Sequence, residues 1–400
     1  MPIFAEQSFF LTPPKHILPT IVIAQFCCTS LWFASNGVLG ELVANFDLRA
    51  NALGNLTAAV QFGFITGTLV FALWTVTDRF SPSKVFLTSA IFGALGNAGM
   101  LWQDNTLFTL VLFRFLTGFF LAGIYPVGMK IAADYFDQGL GRSLGLLVGA
   151  LVLGTAFPHL LKGVGTYFPW QSVVMTTSGL AFFGGLSIAL LVPNGPYRKQ
   201  GQQVDLKAFF KVFQNTDFRA AAFGYFGHMW ELYAFWAFVP LMLMKYQEVH
   251  NIILNIPLLT FGIIAIGGLA CVLGGYLSQR IGVKKTAGIA LFLSGCCCLV
   301  SPLAFMLPTE DLFVGFLFFW GMVVIADSPL FSTLVAQSAT AELKGTALTI
   351  VNCIGFTITI VSIQLMTVLQ NGHLGDWIYI LLGAGPLFGL YALLRKKKKK

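Results

Sequence analysis

The sequence predicts an all-α integral membrane protein whose twelve transmembrane helices form two six-helix bundles. Hydrophobic residues make up 56% of the 400 residues, charged residues make up only 10%, and the mean hydropathy is +0.79. A soluble chain carries about 25% charged residues, so this one has too few polar side chains to cover a surface in water. The composition also excludes a disordered chain, which requires low hydrophobicity and high charge.

Twelve continuous apolar runs have the length of roughly 20 residues that a helix needs to cross a bilayer. Their predicted bounds are 17–40, 55–76, 85–102, 107–130, 143–162, 171–192, 220–243, 256–278, 286–307, 312–334, 345–369 and 377–394. The runs do not alternate as barrel strands do, so helices are predicted. The first run exceeds the apolar region of a signal peptide, and we expect it to remain as the first span.

The placement of lysine and arginine predicts the orientation. If the N-terminus is cytoplasmic, twenty of the 24 lysines and arginines fall on the cytoplasmic side. Only Arg49, Lys162 and Lys245 fall on the opposite side, and Arg114 lies within a span. Basic residues concentrate on the cytoplasmic side of membrane proteins, so both termini are predicted to be cytoplasmic. A bacterial inner membrane is the expected location, since the predicted loops on the opposite side are short.

The formal net charge of +8 does not indicate a nucleic-acid binder, because six basic residues form one run, Arg395–Lys400, directly after an apolar segment. Such a cluster beside a span favours contact with anionic lipid. All seven cysteines fall within apolar runs, where thiols behave as small hydrophobic groups. We therefore predict no disulfide framework, and no ligand spacing predicts a metal or cofactor site.

The longest connection between spans divides the chain into six spans and six spans. It runs over 193–219 and separates a predicted N-terminal bundle, 1–192, from a predicted C-terminal bundle with a basic tail, 220–400. Equivalent loops in the two halves carry similar residues: Asp78-Arg79 follows the second span, and Gln279-Arg280 follows the eighth. Such repetition indicates an internal duplication.

On these residues the chain resembles the major facilitator superfamily over essentially its whole length. The loop signature of that family, Gly-x-x-x-Asp-Arg-x-Gly-Arg-Lys, is matched in the second half by Gly275, Arg280, Gly282 and Lys284. In the first half only its Asp-Arg pair is matched, by Asp78 and Arg79, and Trp74 and Ser81 replace the two glycines. Arg114-Phe-Leu-Thr-Gly in the fourth span resembles a second family signature.

The resemblance implies two bundles that rock around a central cavity and expose it to either side in turn. Short signature loops can then act as a cytoplasmic latch, because acidic and basic groups at facing helix ends attract each other. The predicted latch residues are Asp78, Arg79, Lys84, Arg142, Gly275, Arg280, Gly282 and Lys284.

Charged side chains deep within spans are the candidates for proton coupling, because burying them costs about 2.5–3.5 kcal/mol each. They are Arg114, His228, Glu231 and Asp327. His228 and Glu231 lie three residues apart and share one helix face. Buried carboxyl and imidazole groups can exchange protons near physiological pH. The structural alternatives are an arginine bonded to helix carbonyls, a self-contained His–Glu pair, and an aspartate that caps a helix broken by Pro329.

Substrate-cavity candidates come from the spans that line the cavity in the resembling family, together with polar residues of other spans. They are Arg114, Asn36, Tyr125, Trp230 and Asn352. Trp32, Gln61 and Trp236 are weaker candidates, since most aromatic residues in such a bundle pack or lie at the membrane interface.

The combined features predict a monomeric secondary active transporter, not an enzyme, that works by alternating access and is coupled to protons. No Walker-type loop is present, which argues against ATP as the energy source. The expected substrate is a small or medium organic anion, including a metal-chelate type of ligand. Two alternatives stay open: a proton-driven exporter of lipophilic cations, which Glu231 and Asp327 would bind, and a membrane receptor or scaffold without transport.

Overall fold

The structure is a computed structural model that describes residues 14–49, 51–136, 140–165, 169–198, 211–340, 343–370, 372 and 375–395. Within these ranges the regular structure is entirely helical. The main helical segments are α1 Ile17–Thr29, α2 Ala52–Leu73, α3 Pro82–Leu101, α4 Leu107–Tyr135, α5 Leu140–Val164, α6 Trp170–Leu191, α7 Thr216–His250, α8 Ile256–Ile281, α9 Val283–Ala304, α10 Glu310–Ser338, α11 Lys344–Gln370 and α12 Gly375–Leu394.

Ten of these segments are long and apolar enough to cross a membrane. The other two in the described part of the chain are α1, with 13 residues, and α7, with 35. The prediction of a helical membrane protein is therefore confirmed. A count of twelve spans, the cytoplasmic position of both termini and the division into two bundles with a linker at 193–219 stay predictions.

Two helices begin directly after an asparagine whose side chain caps the first turn. The Asn215 side chain accepts a hydrogen bond from the Asp217 amide, 2.9 Å away, where α7 begins. Asn255 likewise accepts one from the Leu258 amide, at 3.2 Å, in the first turn of α8. Such bonds satisfy amides that have no partner within the helix. The predicted starts of these helices, 220 and 256, agree with the structure to within four residues.

Three of the predicted spans are interrupted. The first was expected to run over 17–40, but α1 ends at Thr29, and the short helices Ala34–Gly37 and Leu39–Asn45 follow. Segment α4 is broken between Leu121 and Tyr125. Segment α10 is broken at Asp327, which links the helices Glu310–Ala326 and Ser328–Ser338. Hydropathy does not reveal the breaks in α4 and α10, because the chain remains apolar on average on both sides of each, although less so after the break.

Neighbouring helices among the first six approach very closely where glycine faces backbone. A Cβ at Gly118 of α4 would lie 2.7 Å from the Val60 carbonyl carbon of α2, and one at Gly63 would lie 2.8 Å from the Phe119 amide nitrogen. Glycine permits such contact between membrane helices. The pair α2–α4 is therefore held together along its backbone.

The first six helices meet the last six along a seam formed by α2 against α11 and α5 against α8. Asn255 of α8 donates to the Gly163 carbonyl of α5 at 3.2 Å, and the Gln364 amide of α11 donates to Asn55 of α2 at 3.4 Å. These contacts lie at the end of the molecule opposite Asp78 and Arg280.

We call the end with Asp78 and Arg280 the latch end. At this end, a Cβ at Gly145 of α5 or at Gly275 of α8 would meet no atom within 4 Å. Both of these hydrogen bonds across the seam therefore lie at the end opposite the latch end.

Candidate functional site

The break in α10 places a buried acid beside a buried imidazole. Asp327 is fully buried and His228 of α7 is 1% exposed, and the His228 Nδ1 atom lies 2.8 Å from the Asp327 Oδ1 atom. The His228 Nε2 atom has no hydrogen-bond partner among the described residues. Pro329 lies in the first turn of the helix that follows the break. A titratable pair thus joins α7 to a non-helical point of α10.

Glu231 lies one turn further along α7 and makes a different set of contacts. Its Oε1 atom accepts hydrogen bonds from the Trp320 indole, at 2.6 Å, and from the Cys298 thiol, at 3.2 Å. Its Oε2 atom accepts one from the Ser294 hydroxyl, at 2.9 Å. His228 and Glu231 were expected to share a helix face. In the structure, His228 contacts Asp327 of α10, whereas Glu231 accepts hydrogen bonds from neutral donors of α9 and α10.

Arg114 of α4 is fully buried and bonds to the chain just past the end of α1. Its guanidinium donates to the Leu31 carbonyl at 3.0 Å, to the Trp32 carbonyl, and to the Asn97 amide oxygen at 3.2 Å. Carbonyls at a helix end lack partners within the helix, and a buried cation is stabilised by such acceptors. The geometry matches the structural alternative for this residue, and a role for it in coupling or substrate binding stays a prediction.

An aromatic cluster fills the centre of the seam. Its members are Trp32, Phe33 and Phe64 from the first half and Tyr233, Trp236 and Phe356 from the second. The Trp32 and Tyr233 rings stack with their centroids 5.9 Å apart, and the Phe64 and Phe356 rings are 4.8 Å apart. Ring pairs at these distances attract each other beyond their burial alone. This cluster closes the seam in the conformation that the structure describes.

Buried hydrogen-bond donors without partners occur in and beside the aromatic cluster. Among the described residues, the Trp32 and Trp236 indole nitrogens and the Gln61 amide nitrogen have no acceptor, although the Gln61 oxygen accepts from Thr359. An unpaired buried donor costs about 1–3 kcal/mol. The seam thus holds three donor nitrogens whose N–H groups a ligand rich in acceptors could satisfy. These residues were weaker candidates in the sequence analysis, because an amino-acid sequence does not show whether an indole or amide N–H group has an acceptor.

The remaining predicted cavity residues lie on four different helices. Asn36 donates to the Thr57 hydroxyl at 2.9 Å, and the Trp230 indole donates to the Leu381 carbonyl of α12 at 3.0 Å. Tyr125 begins the second part of α4, and both it and Asn352 are half-buried. Among the described residues, no hydrogen bond joins these four residues to Arg114 or to one another.

Among the described side chains, the predicted latch residues form no ion pair between the two halves. Asp78 forms an ion pair with Lys130 of its own half at 2.6 Å, while Arg79 and Arg280 are exposed. Lys84 and Lys284 are exposed as well, and Gly282 has a positive φ of 93° at the start of α9. The side chain of Arg142 lies outside the described part of the structure.

Comparison with known proteins agrees with this architecture. The family model of the Major Facilitator Superfamily matches residues 21–363. The sialic acid transporter NanX of Escherichia coli (strain K12) is 26% identical over 168 residues, a stretch that covers 40% of this chain and 40% of that transporter.

Two solved structures share the fold along nearly the whole chain. The nucleoside transporter NupG superposes with a TM-score of 0.71 at 14% identity, covering 94% of this chain and 99% of that one. A bacterial homologue of the human lysosomal transporter Spinster, in an inward-facing and unoccupied conformation, superposes with a TM-score of 0.67 at 13% identity, covering 95% and 94%. Because the family model matches most of its length and the solved structures share its fold, the chain belongs to the Major Facilitator Superfamily of transporters.

Proposed function

We propose that this membrane transporter uses a proton gradient to move a small organic anion by alternating access. The observation that carries the proposal is the buried contact between His228 and Asp327 at the break of α10. Family membership supports a secondary transporter, and the coupling ion and the substrate class are our own inference.

A buried acid–imidazole pair suits proton coupling because its net charge changes when one proton binds or leaves. An uncompensated charge inside the membrane costs about 2.5–3.5 kcal/mol on insertion scales. Protonation of Asp327 removes its attraction to His228 and weakens the contact between α7 and α10. The break at Asp327 leaves α10 free to bend there, so that proton binding can change how the two helices pack.

The unpaired donors of the seam support an anionic or acceptor-rich substrate. Trp32, Gln61 and Trp236 offer N–H groups, and carboxylates and sugar hydroxyls supply the acceptors that such groups bind. NanX, by its name, carries sialic acid, a sugar acid with both kinds of acceptor. Glu231 already accepts three hydrogen bonds, which disfavours it as a binding group for lipophilic cations.

Transport in proteoliposomes tests the coupling. We expect Asp327→Asn to abolish accumulation of substrate driven by a pH gradient, at least tenfold below the wild type, because an amide cannot bind and release the proton. Exchange of substrate at equal concentration on both sides should persist, since it needs no net proton movement. The matched control is Asp311→Asn, the same change at an exposed position of α10.

The substrate class is tested first by ligand-induced stabilisation of the purified protein, because a ligand that binds only the folded state raises its melting temperature. Sialic acid and simple organic anions should raise it, and lipophilic cations should not. Stabilisation by cations alone would reject the anion proposal in favour of a cation exporter. Accumulation that survives in Asp327→Asn would reject the assignment of the proton to this pair.

A further inference from the structure

A groove on the outer surface between α9 and α12 lies apart from the seam and from the contact between His228 and Asp327. Its volume is about 470 Å³, within the range of about 300–1,000 Å³ that is typical of small-molecule sites. Its walls are apolar and are formed by Gly288, Ile289, Phe292, Leu390, Leu393 and Leu394. Phe292 and Leu394 are 56% and 69% exposed, so the groove opens towards the surroundings of the protein.

Two lysines stand at the mouth of the groove. Lys284 and Lys285 are exposed in the first turn of α9, and neither forms an ion pair with any described residue. That turn contains no acidic side chain. Because the start of a helix carries a partial positive charge, two ammonium groups there repel it, and an anion placed between them would relieve the repulsion.

Arg395, which is exposed, adds positive charge beside the groove. Leu394 lines the groove, and Arg395–Lys400 follow it directly in the sequence. Basic side chains at the mouth of an apolar groove fit an occupant with an anionic head and an apolar body, since opposite charges attract at short range.

We propose that this groove binds one anionic phospholipid, with its phosphate between Lys284 and Lys285 and an acyl chain along α9 and α12. The lining residues of α9 lie on one helix face, from Lys285 to Phe292. At 1.5 Å per residue this face is about 10 Å long, so it reaches from the headgroup region well into one leaflet. The site is independent of the substrate and of the proton.

Native mass spectrometry of the full chain in detergent tests the proposal with phosphatidylglycerol and phosphatidylcholine as probes. We expect one phosphatidylglycerol to bind more tightly than phosphatidylcholine. Lys285→Gln should weaken this binding about fivefold, and the double variant Lys284→Gln/Lys285→Gln about 25-fold. Lys15→Gln is the matched control, because Lys15 is also exposed and has no ion pair among the described residues. It should leave the affinity within twofold of the wild type.

A second variant tests the apolar part. A Cβ at Gly288 would lie 3.4 Å from the Leu393 Cδ2 atom, so Gly288→Leu places its side chain in the groove. We expect it to reduce the binding of phosphatidylglycerol at an unchanged melting temperature without lipid. Equal affinity for the two lipids, or an equal loss in Lys15→Gln and Lys285→Gln, would overturn the proposal. So would a dimer that Gly288→Leu disrupts, since the occupant would then be a second copy of the chain.

Discussion

Glu231 and Asp327 are both buried carboxyl groups, but their contacts indicate different roles. Three neutral donors converge on Glu231, whereas Asp327 contacts a single titratable group. Hydrogen bonds to a charged group contribute about 1.5–3 kcal/mol each, against about 0.5–1.5 for neutral pairs. We therefore infer that Glu231 fixes α7 to α9 and α10, and that the mobile proton belongs to Asp327 and His228.

Glu231→Gln separates these roles. We expect the variant to lose about 1–2 kcal/mol of stability, because an amide accepts the Trp320 and Cys298 bonds less strongly. Proton-driven accumulation of substrate should remain within a few-fold of the wild type. Unfolding in detergent and uptake in proteoliposomes measure the two effects, with the exposed Glu310→Gln as the control. Unchanged stability combined with lost accumulation would make Glu231 the proton site.

At the level of single residues the sequence identified the buried charges but not their partners. A charged residue within an apolar run is costly to bury and therefore rare, so it is easily recognised in the sequence. This applies to Arg114, His228, Glu231 and Asp327. The pairing of His228 with Asp327 depends on how α7 packs against α10, and no local pattern contains that information. The same holds for the Trp32 and Trp236 indoles, whose missing acceptors become evident only when every neighbour is placed.

Whole helices were predicted more accurately than their interruptions. The need to satisfy the backbone inside a bilayer makes each span a long apolar run, which hydropathy detects. The end of α1 at Thr29 has another cause: the carbonyls of Leu31 and Trp32 bond to Arg114, which belongs to a distant part of the chain. Long-range contacts of this kind leave no trace in the hydropathy of the segment that they interrupt.

The close approach of α2 to α4 predicts a strong dependence on Gly118. In Gly118→Ala the new Cβ would meet the Val60 carbonyl, and overpacking of this kind costs about 1–3 kcal/mol. Gly315→Ala is the control, since Gly315 is an exposed helical glycine with no atom near its Cβ position. That variant should gain roughly 0.5–1 kcal/mol from the greater helix propensity of alanine. Detergent unfolding curves measure both, and equal effects would contradict backbone contact between α2 and α4.

For the whole molecule, the first six helices contact the last six along the seam of α2 with α11 and of α5 with α8. If the seam must open during transport, a covalent bond across it should stop the cycle. A Cβ at Gly54 of α2 would lie 3.1 Å from the Thr367 Cβ of α11, close to the separation of about 3.5–4.5 Å in disulfides. Gly54→Cys/Thr367→Cys, in a background without the seven native cysteines, therefore allows the two halves to be joined.

Oxidation of this double variant should reduce transport at least tenfold, and reduction should restore it, while ligand binding in detergent persists. The matched control is Gly93→Cys/Phe120→Cys, whose Cβ atoms would lie 3.6 Å apart between α3 and α4 of the first half. A disulfide inside one half does not hinder rocking, so this variant should transport equally well before and after oxidation. Full transport by the oxidised seam variant would show that the two halves do not separate at Gly54, and the substrate would then need another path past the aromatic cluster. Loss of transport in both variants would instead mean that each half must deform internally, which contradicts a rigid-body motion about the seam.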